Sequence, residues 1–289
     1  MKAELQTIFP LSCPHLPNEC KHISAENLPD YLSNHPELFR GQPYLADLAA
    51  IELSIYTLSK HTVAIPETID RIEVHPAVDL LEVSWLGLSS LFTETPRQTV
   101  PGKEIILLFK KDNDTAVQVL SPNNHELLAL KIASEGIDVR TAAAEAHVSI
   151  ALIDNVLYQA AQKGFILLPS TRIIRPEGFC REELRVDELC TSPSFTLQWH
   201  VTQKCDLHCL HCYDRSDRTT MTMEQGIHVL DDLYNFCEEQ HVYGQVSFTG
   251  GNPLLYPHFD ILYREAAERG FLTAILGNPI SQKMLDTMV

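Results

Sequence analysis

No apolar run in this 289-residue chain reaches the roughly 20 residues of a membrane span. The amino terminus, Met1-Lys2-Ala3-Glu4-Leu5, also lacks the basic flank and continuous apolar stretch of a secretory signal. Both absences point to a cytoplasmic protein with no membrane partner. Basic residues are scarce: 22 Lys plus Arg face 38 Asp plus Glu, for a net charge of −16. Passive attraction to nucleic acid is therefore disfavoured, and a role there would need a local exception. The chain is 45% apolar and 21% charged, which excludes wholesale disorder, a collagen-like repeat and a disulfide miniature. Its length leaves room for roughly two or three domains of about 100 to 150 residues. The eight cysteines belong to a chain read as intracellular, so a tight cluster of them signals metal ligation rather than disulfides.

The patterning divides the chain into five stretches. Residues 1–24 read as an irregular, solvated tail; the alternative there is a metal-binding pair of Cys-x-His units, Cys13 with His15 and Cys20 with His22. Residues 25–92 read as an α-helical module. Pro43 opens an amphipathic helix with Leu45, Leu48, Ile51, Ile55 and Leu58 on one face, and the apolar stretch from His75 to Phe92 closes the module. Residues 93–168 read as an α+β winged-helix-like module. It begins with a β-hairpin from Glu104–Phe109 and Ala116–Leu120, continues through three helices, and ends in a short strand at Phe165–Leu168. Residues 169–193, proline-broken and without periodicity, read as a linker whose Cys180 and Cys190 are incidental thiols. Residues 194–289 alternate strand and helix: strands at Phe195–Val201, Val246–Phe248 and Phe271–Leu276, with a Thr222/Gln225 capping box opening the first helix. This alternation implies parallel strands, in an open sheet or a barrel. Strand parity leaves the side on which His200 lies open, and Cys237 reads as a buried small hydrophobe.

Directly after the first of those strands comes Cys205-Asp206-Leu207-His208-Cys209-Leu210-His211-Cys212-Tyr213. A structural zinc site normally takes four ligands, whereas an iron–sulfur cubane on three thiolates leaves one iron open to a substrate or cofactor. His208 or His211 completing a zinc site is the alternative. One unit later, Thr249-Gly250-Gly251-Asn252-Pro253 follows the second strand.

The C-x3-C-x2-C spacing after a first barrel strand resembles the radical S-adenosylmethionine (SAM) enzymes. The resemblance implies that Cys205, Cys209 and Cys212 hold a [4Fe-4S] cluster whose fourth iron is chelated by SAM. It also implies that Gly250, Gly251, Asn252 and Pro253 contact SAM, with Asn252 standing where the family usually has Glu and offering a carbonyl acceptor in place of a carboxylate. Tyr213 joins this implied cofactor-binding set, and the Cys-Leu-His-Cys-Tyr ending resembles that of peptide-modifying members. The implied fold is the first part of a radical SAM (β/α) barrel, and the implied chemistry is an oxidoreductase-type cleavage of SAM that yields a 5′-deoxyadenosyl radical. An external reductant such as flavodoxin or ferredoxin would supply the electron. With three strands after the linker, the barrel is expected to be incomplete in this chain.

Pro43-Tyr44-Leu45-Ala46-Asp47-Leu48-Ala49, His75-Pro76-Ala77-Val78 and the hairpin with its winged-helix-like tail resemble the partner, leader-recognition proteins of methanobactin-type peptide modification. That implies a module holding a ribosomally synthesised precursor peptide, fused to its RiPP maturase; thio(seleno)oxazole-type maturases, forming thiazole- or selenazole-like rings, are one home for it. A winged helix also raises DNA binding, but the would-be reading helix, Ile150–Lys163, carries Asp154 and only Lys163 as a base. The rival reading is a non-enzymatic iron–sulfur or zinc sensor with a winged-helix domain.

Overall fold

A computed structural model describes residues 2–39, 41–60, 64–66, 68–93, 95–110, 116–176, 190–212, 219–279 and 281–286. Tyr213 and Cys180 lie outside these described residues. The chain divides into two compact units, Met1–Glu67 with Ile72–Gly136 and Tyr158–Leu167, and Thr68–Arg71 with Ile137–Leu157 and Leu168–Val289.

In the first unit, helix α1 (Lys2–Ile8) and two short 3₁₀ turns precede α2 (Leu28–Asn34) and α3 (Leu45–Lys60). The segment expected to be a solvated tail is instead packed: Leu5, Ile8, Phe9 and Cys20 form one buried cluster with Leu28, Leu32 and Leu45. Its anchor is a buried carboxylate. Glu52 of α3 accepts N–H bonds from Leu11 (2.5 Å) and Ser12 (3.0 Å), satisfying backbone donors that the proline-broken segment leaves without helix partners. Cys20 is fully buried, which makes it a small hydrophobe there. Helix α3 buries Leu45, Leu48, Ile51 and Leu58, the face its periodicity marked.

The stretch from His75 to Phe92 departs from the helical expectation. After β1 (Glu73–Val74), β2 (Val78–Leu86) runs antiparallel to β3 (Val100–Phe109), which in turn pairs with β4 (Gln118–Leu120). The β3–β4 hairpin was legible locally; β2 was not, because the long-range pairing Leu81↔Ile106 and Val83↔Glu104 decides the conformation of an otherwise ambiguous apolar run. Helices α4 (Asn124–Glu135), α5 (Val139–Ala146) and α6 (Ile150–Lys163) follow, then β5 (Ile166–Leu167), which pairs with β1. An Asn123/Glu126 capping box starts α4 and Gly136, at φ 64°, ends it.

The second unit is built on a parallel sheet in the order β6 (Ser194–Thr202), β7 (Tyr243–Gly250), β8 (Leu272–Ile275). Helices α7 (Met223–Gln240) and α8 (Phe259–Glu268) connect successive strands, and α9 (Gln282–Leu285) comes last. The Thr222/Gln225 capping box is present as read. The presumed linker is hydrogen-bonded into this unit where it is described: Ile174 bridges Thr191, and Arg172 N–H donates to Gln240 O at 2.9 Å.

Period-2 alternation sets the two faces of β6. Trp199 and Val201 are buried in a cluster with Phe248, Phe259 and Leu262, and Phe195 and Leu197 pack on it. The intervening Thr196, Gln198 and His200 therefore lie on the opposite face, which settles the side of His200. Strand β7 continues that polar face with Gln245, Ser247 and Thr249, and Thr196 Oγ1 meets Gln245 Oε1 across it at 2.9 Å. Parallel strands covered on both sides read as continuous apolar runs, so a polar second face leaves this one available to water or a ligand.

Candidate functional site

The chain leaving the carboxyl end of β6 runs directly into the cysteine loop. Cys205 and Cys212 are exposed and Cys209 is half-buried, and none of the three is in a disulfide. Cys212 N–H donates to Cys209 O at 3.2 Å, a tight turn, while Leu207 N–H points at Cys205 Sγ from 3.4 Å. Among the described residues, no three His, Cys, Asp or Glu side chains are gathered into a metal-binding group. In kind, the donors suit soft-metal or iron–sulfur ligation, since three thiols lie on one short accessible loop with an amide already directed at one sulfur.

The loop is held against the end of β7. Gly251 N–H donates to Thr202 O at 2.8 Å and Asn252 N–H to Lys204 O at 2.7 Å. This approach requires the two glycines. A Cβ on Gly250, whose φ is 125°, would stand 2.2 Å from Thr202 O, and one on Gly251 would stand 2.3 Å from Lys204 O. What the glycines accommodate in this structure is the backbone leading to Cys205.

Asn252 is 4% exposed and uses both ends of its amide. Its Oδ1 accepts from Leu254 N–H at 3.3 Å, capping the 3₁₀ turn Pro253–Leu255, and its Nδ2 donates to Asp206 Oδ1 at 3.0 Å. Asn278, two residues beyond the Leu276 that follows β8, donates to the same Asp206 oxygen and reaches Cys205 Sγ at 3.9 Å. The Asn252 amide, the local Asp206 backbone N–H and the Asn278 amide together hold the Asp206 carboxyl below its usual range. One carboxylate thus joins loops from the carboxyl ends of all three parallel strands. Asp206 and Asn278 were not singled out by sequence reasoning; a carboxylate directly beside a cysteine ligand candidate was the available signal.

Helix α7 carries a second group of charges. Asp154 of α6 lies against Gly270, where an added Cβ would be 2.6 Å from its Oδ2. Burial, reinforced by the Glu238 carboxylate, pushes Asp154 up to about 6. Tyr234 donates its hydroxyl to Glu238 Oε1 at 3.2 Å, and the Arg140 guanidinium stacks 3.9 Å from the Tyr234 ring centre. Cys237, buried on the same helix, is pushed up to about 11 by desolvation, which leaves it an inert thiol.

No protein-family model matches the chain. Among curated proteins it is similar to an S-adenosylmethionine-dependent nucleotide dehydratase of Selenomonas ruminantium, 28% identical over 86 residues, or 29% of this chain and 30% of that one. It is similar as well to the Fe-coproporphyrin III synthase of Methanosarcina barkeri (strain Fusaro / DSM 804), 30% identical over 84 residues, or 28% of this chain and 20% of that one. The matched stretch therefore spans less than a third of either relative. Both distant relatives are named as enzymes, one of them dependent on S-adenosylmethionine. Among the described residues, no helix is long and apolar enough to cross a membrane.

Proposed function

We propose that the chain carries a peptide-recognition region and the cluster-binding loop of a radical SAM peptide maturase, with Cys205, Cys209 and Cys212 holding a [4Fe-4S] cluster. The observation that carries this reading is placement: three cysteines on one loop at the carboxyl end of a parallel strand, braced by a Gly-Gly-Asn-Pro turn at the end of the next strand. When bound, the cluster and SAM together supply a radical that abstracts hydrogen from a substrate. The protein's own contribution is to present the thiols, to offer the polar face of Gln198, His200, Ser247 and Thr249 beneath them, and to position SAM near the Gly250–Pro253 turn. An external one-electron reductant completes the requirement.

For the substrate we favour a peptide seated on the first unit. A groove of about 680 Å³ is lined by Pro29, Leu53, Leu58 and Leu81 together with Glu26 and Asp30, which suits an apolar segment carrying basic residues. Strand addition to β2 is less favourable, because Ser84 N–H is taken by Asp47 at 2.7 Å and Leu80 N–H by Asp79 at 2.9 Å. The test is anaerobic reconstitution followed by iron, sulfide and zinc analysis, a SAM-cleavage assay, and binding of a labelled precursor peptide. Cluster incorporation with SAM cleavage and peptide binding supports the reading. Stoichiometric zinc, no SAM cleavage and specific DNA binding would replace it with the sensor.

A further inference from the structure

Both ends of the Asn252 amide are engaged inside the protein, its oxygen by Leu254 N–H and its nitrogen by Asp206. Asp206 sits between Cys205 and Leu207, 46 residues from Asn252 and 72 from Asn278. The three loops it joins have no covalent reason to stay in register. Without the carboxylate, Cys205 is positioned by the Gly251 and Asn252 backbone contacts and by two weak contacts to its sulfur, from Leu207 N–H at 3.4 Å and Asn278 Nδ2 at 3.9 Å.

We propose that Asp206 is the positioning residue of the cysteine loop, clamped by the side-chain amides of Asn252 and Asn278, and that Asn252 serves this clamp rather than SAM. The chemistry explains why an amide stands at position 252. The side chain must accept from Leu254 N–H and donate to a carboxylate at once, which a glutamate or aspartate in ionised form cannot do. A carboxylate there would face Asp206 across about 3 Å. The inference rests on the reading of Cys205 as a cluster ligand only for its consequence; the clamp itself belongs to the polypeptide.

The experiment compares the full chain with Asn252→Asp, Asp206→Asn and the double variant Asn252→Asp/Asp206→Asn. Hydrogen exchange of the 203–207 segment is followed in apo protein, and cluster loss to a chelator in reconstituted protein. In Asn252→Asp, both should accelerate about tenfold, the loss expected when a charge-assisted hydrogen bond becomes a repulsion. Asp206→Asn keeps an acceptor oxygen and should change little. In the double variant the amide at 206 can donate to the new carboxylate at 252, so both rates should return to within about twofold of the wild type. Rescue of this kind is not expected of a merely bulky or structural contact. The proposal is overturned if Asn252→Asp leaves exchange and cluster loss unchanged and alters only SAM affinity, or if the double variant is no better than the single one. Should wild-type protein take up no iron–sulfur cluster while the exchange order holds, the clamp stands and the reading of the thiols falls.

Discussion

Replacing Asp154 by Asn should stabilise the second unit at neutral pH, and the magnitude follows from its surroundings. The carboxyl lies against Gly270 and near Glu238, and its pKa is raised from 3.8 to about 6, first by burial and then by that like charge. The folded state thus prefers the protonated form. Below the unfolded value of 3.8 the group costs nothing; the cost grows as pH climbs toward 6 and is complete above it. About two pH units at 1.36 kcal/mol each give about 3 kcal/mol of destabilisation at pH 7 and above. Asn removes the charge, keeps the shape and leaves a hydrogen-bonding group, so the variant should match wild type at pH 4 and gain about 2 to 3 kcal/mol at pH 8. Trp199 is buried in the core of this unit, and Trp85 is the chain's other tryptophan. Urea titrations read by fluorescence in a Trp85→Phe background would therefore report on the second unit. An Asp154→Asn variant whose stability differs from wild type by the same amount at pH 4 and pH 8 would refute the reasoning.

Glu52→Ala should strand the N–H groups of Leu11 and Ser12 and destabilise the first unit by about 2 to 4 kcal/mol, measured by urea denaturation, with faster hydrogen exchange in residues 5–13. Gly251→Ala should push the 203–204 backbone away and lower iron retention after reconstitution at least about fivefold, while far-UV circular dichroism stays as in wild type. Leu53→Lys, in the groove lined by acidic Glu26 and Asp30, should weaken binding of a basic, apolar precursor peptide by about tenfold in fluorescence anisotropy; equal affinity would move the peptide site elsewhere.

Local signals translated well where they are self-contained. The Thr222/Gln225 box is decided within one helix turn, and the strand at Phe195–Val201 was readable although its parity alone left the side of His200 open. The cysteine spacing lies within eight residues and is just as readable. Features set by distant partners were hidden. The anchoring of the Leu11 and Ser12 backbone depends on Glu52, about 40 positions away, and β2 depends on β3 for its conformation. The Asp206 clamp draws on residues in three separate loops, so no window of sequence contains it. The resemblance makes the glycines of the Gly-Gly-Asn-Pro turn SAM contacts, whereas the atoms that stand against them in the structure are the backbone of residues 202–204.

The central claim is that the three thiols carry a cluster with one iron open to SAM. It is tested most directly by electron paramagnetic resonance of the anaerobically reconstituted, dithionite-reduced chain with and without SAM. A [4Fe-4S]⁺ signal whose g values shift on addition of SAM, and which is absent in Cys209→Ala, is the predicted result. A spectrum indifferent to SAM, or one that survives the loss of Cys209, would contradict the account.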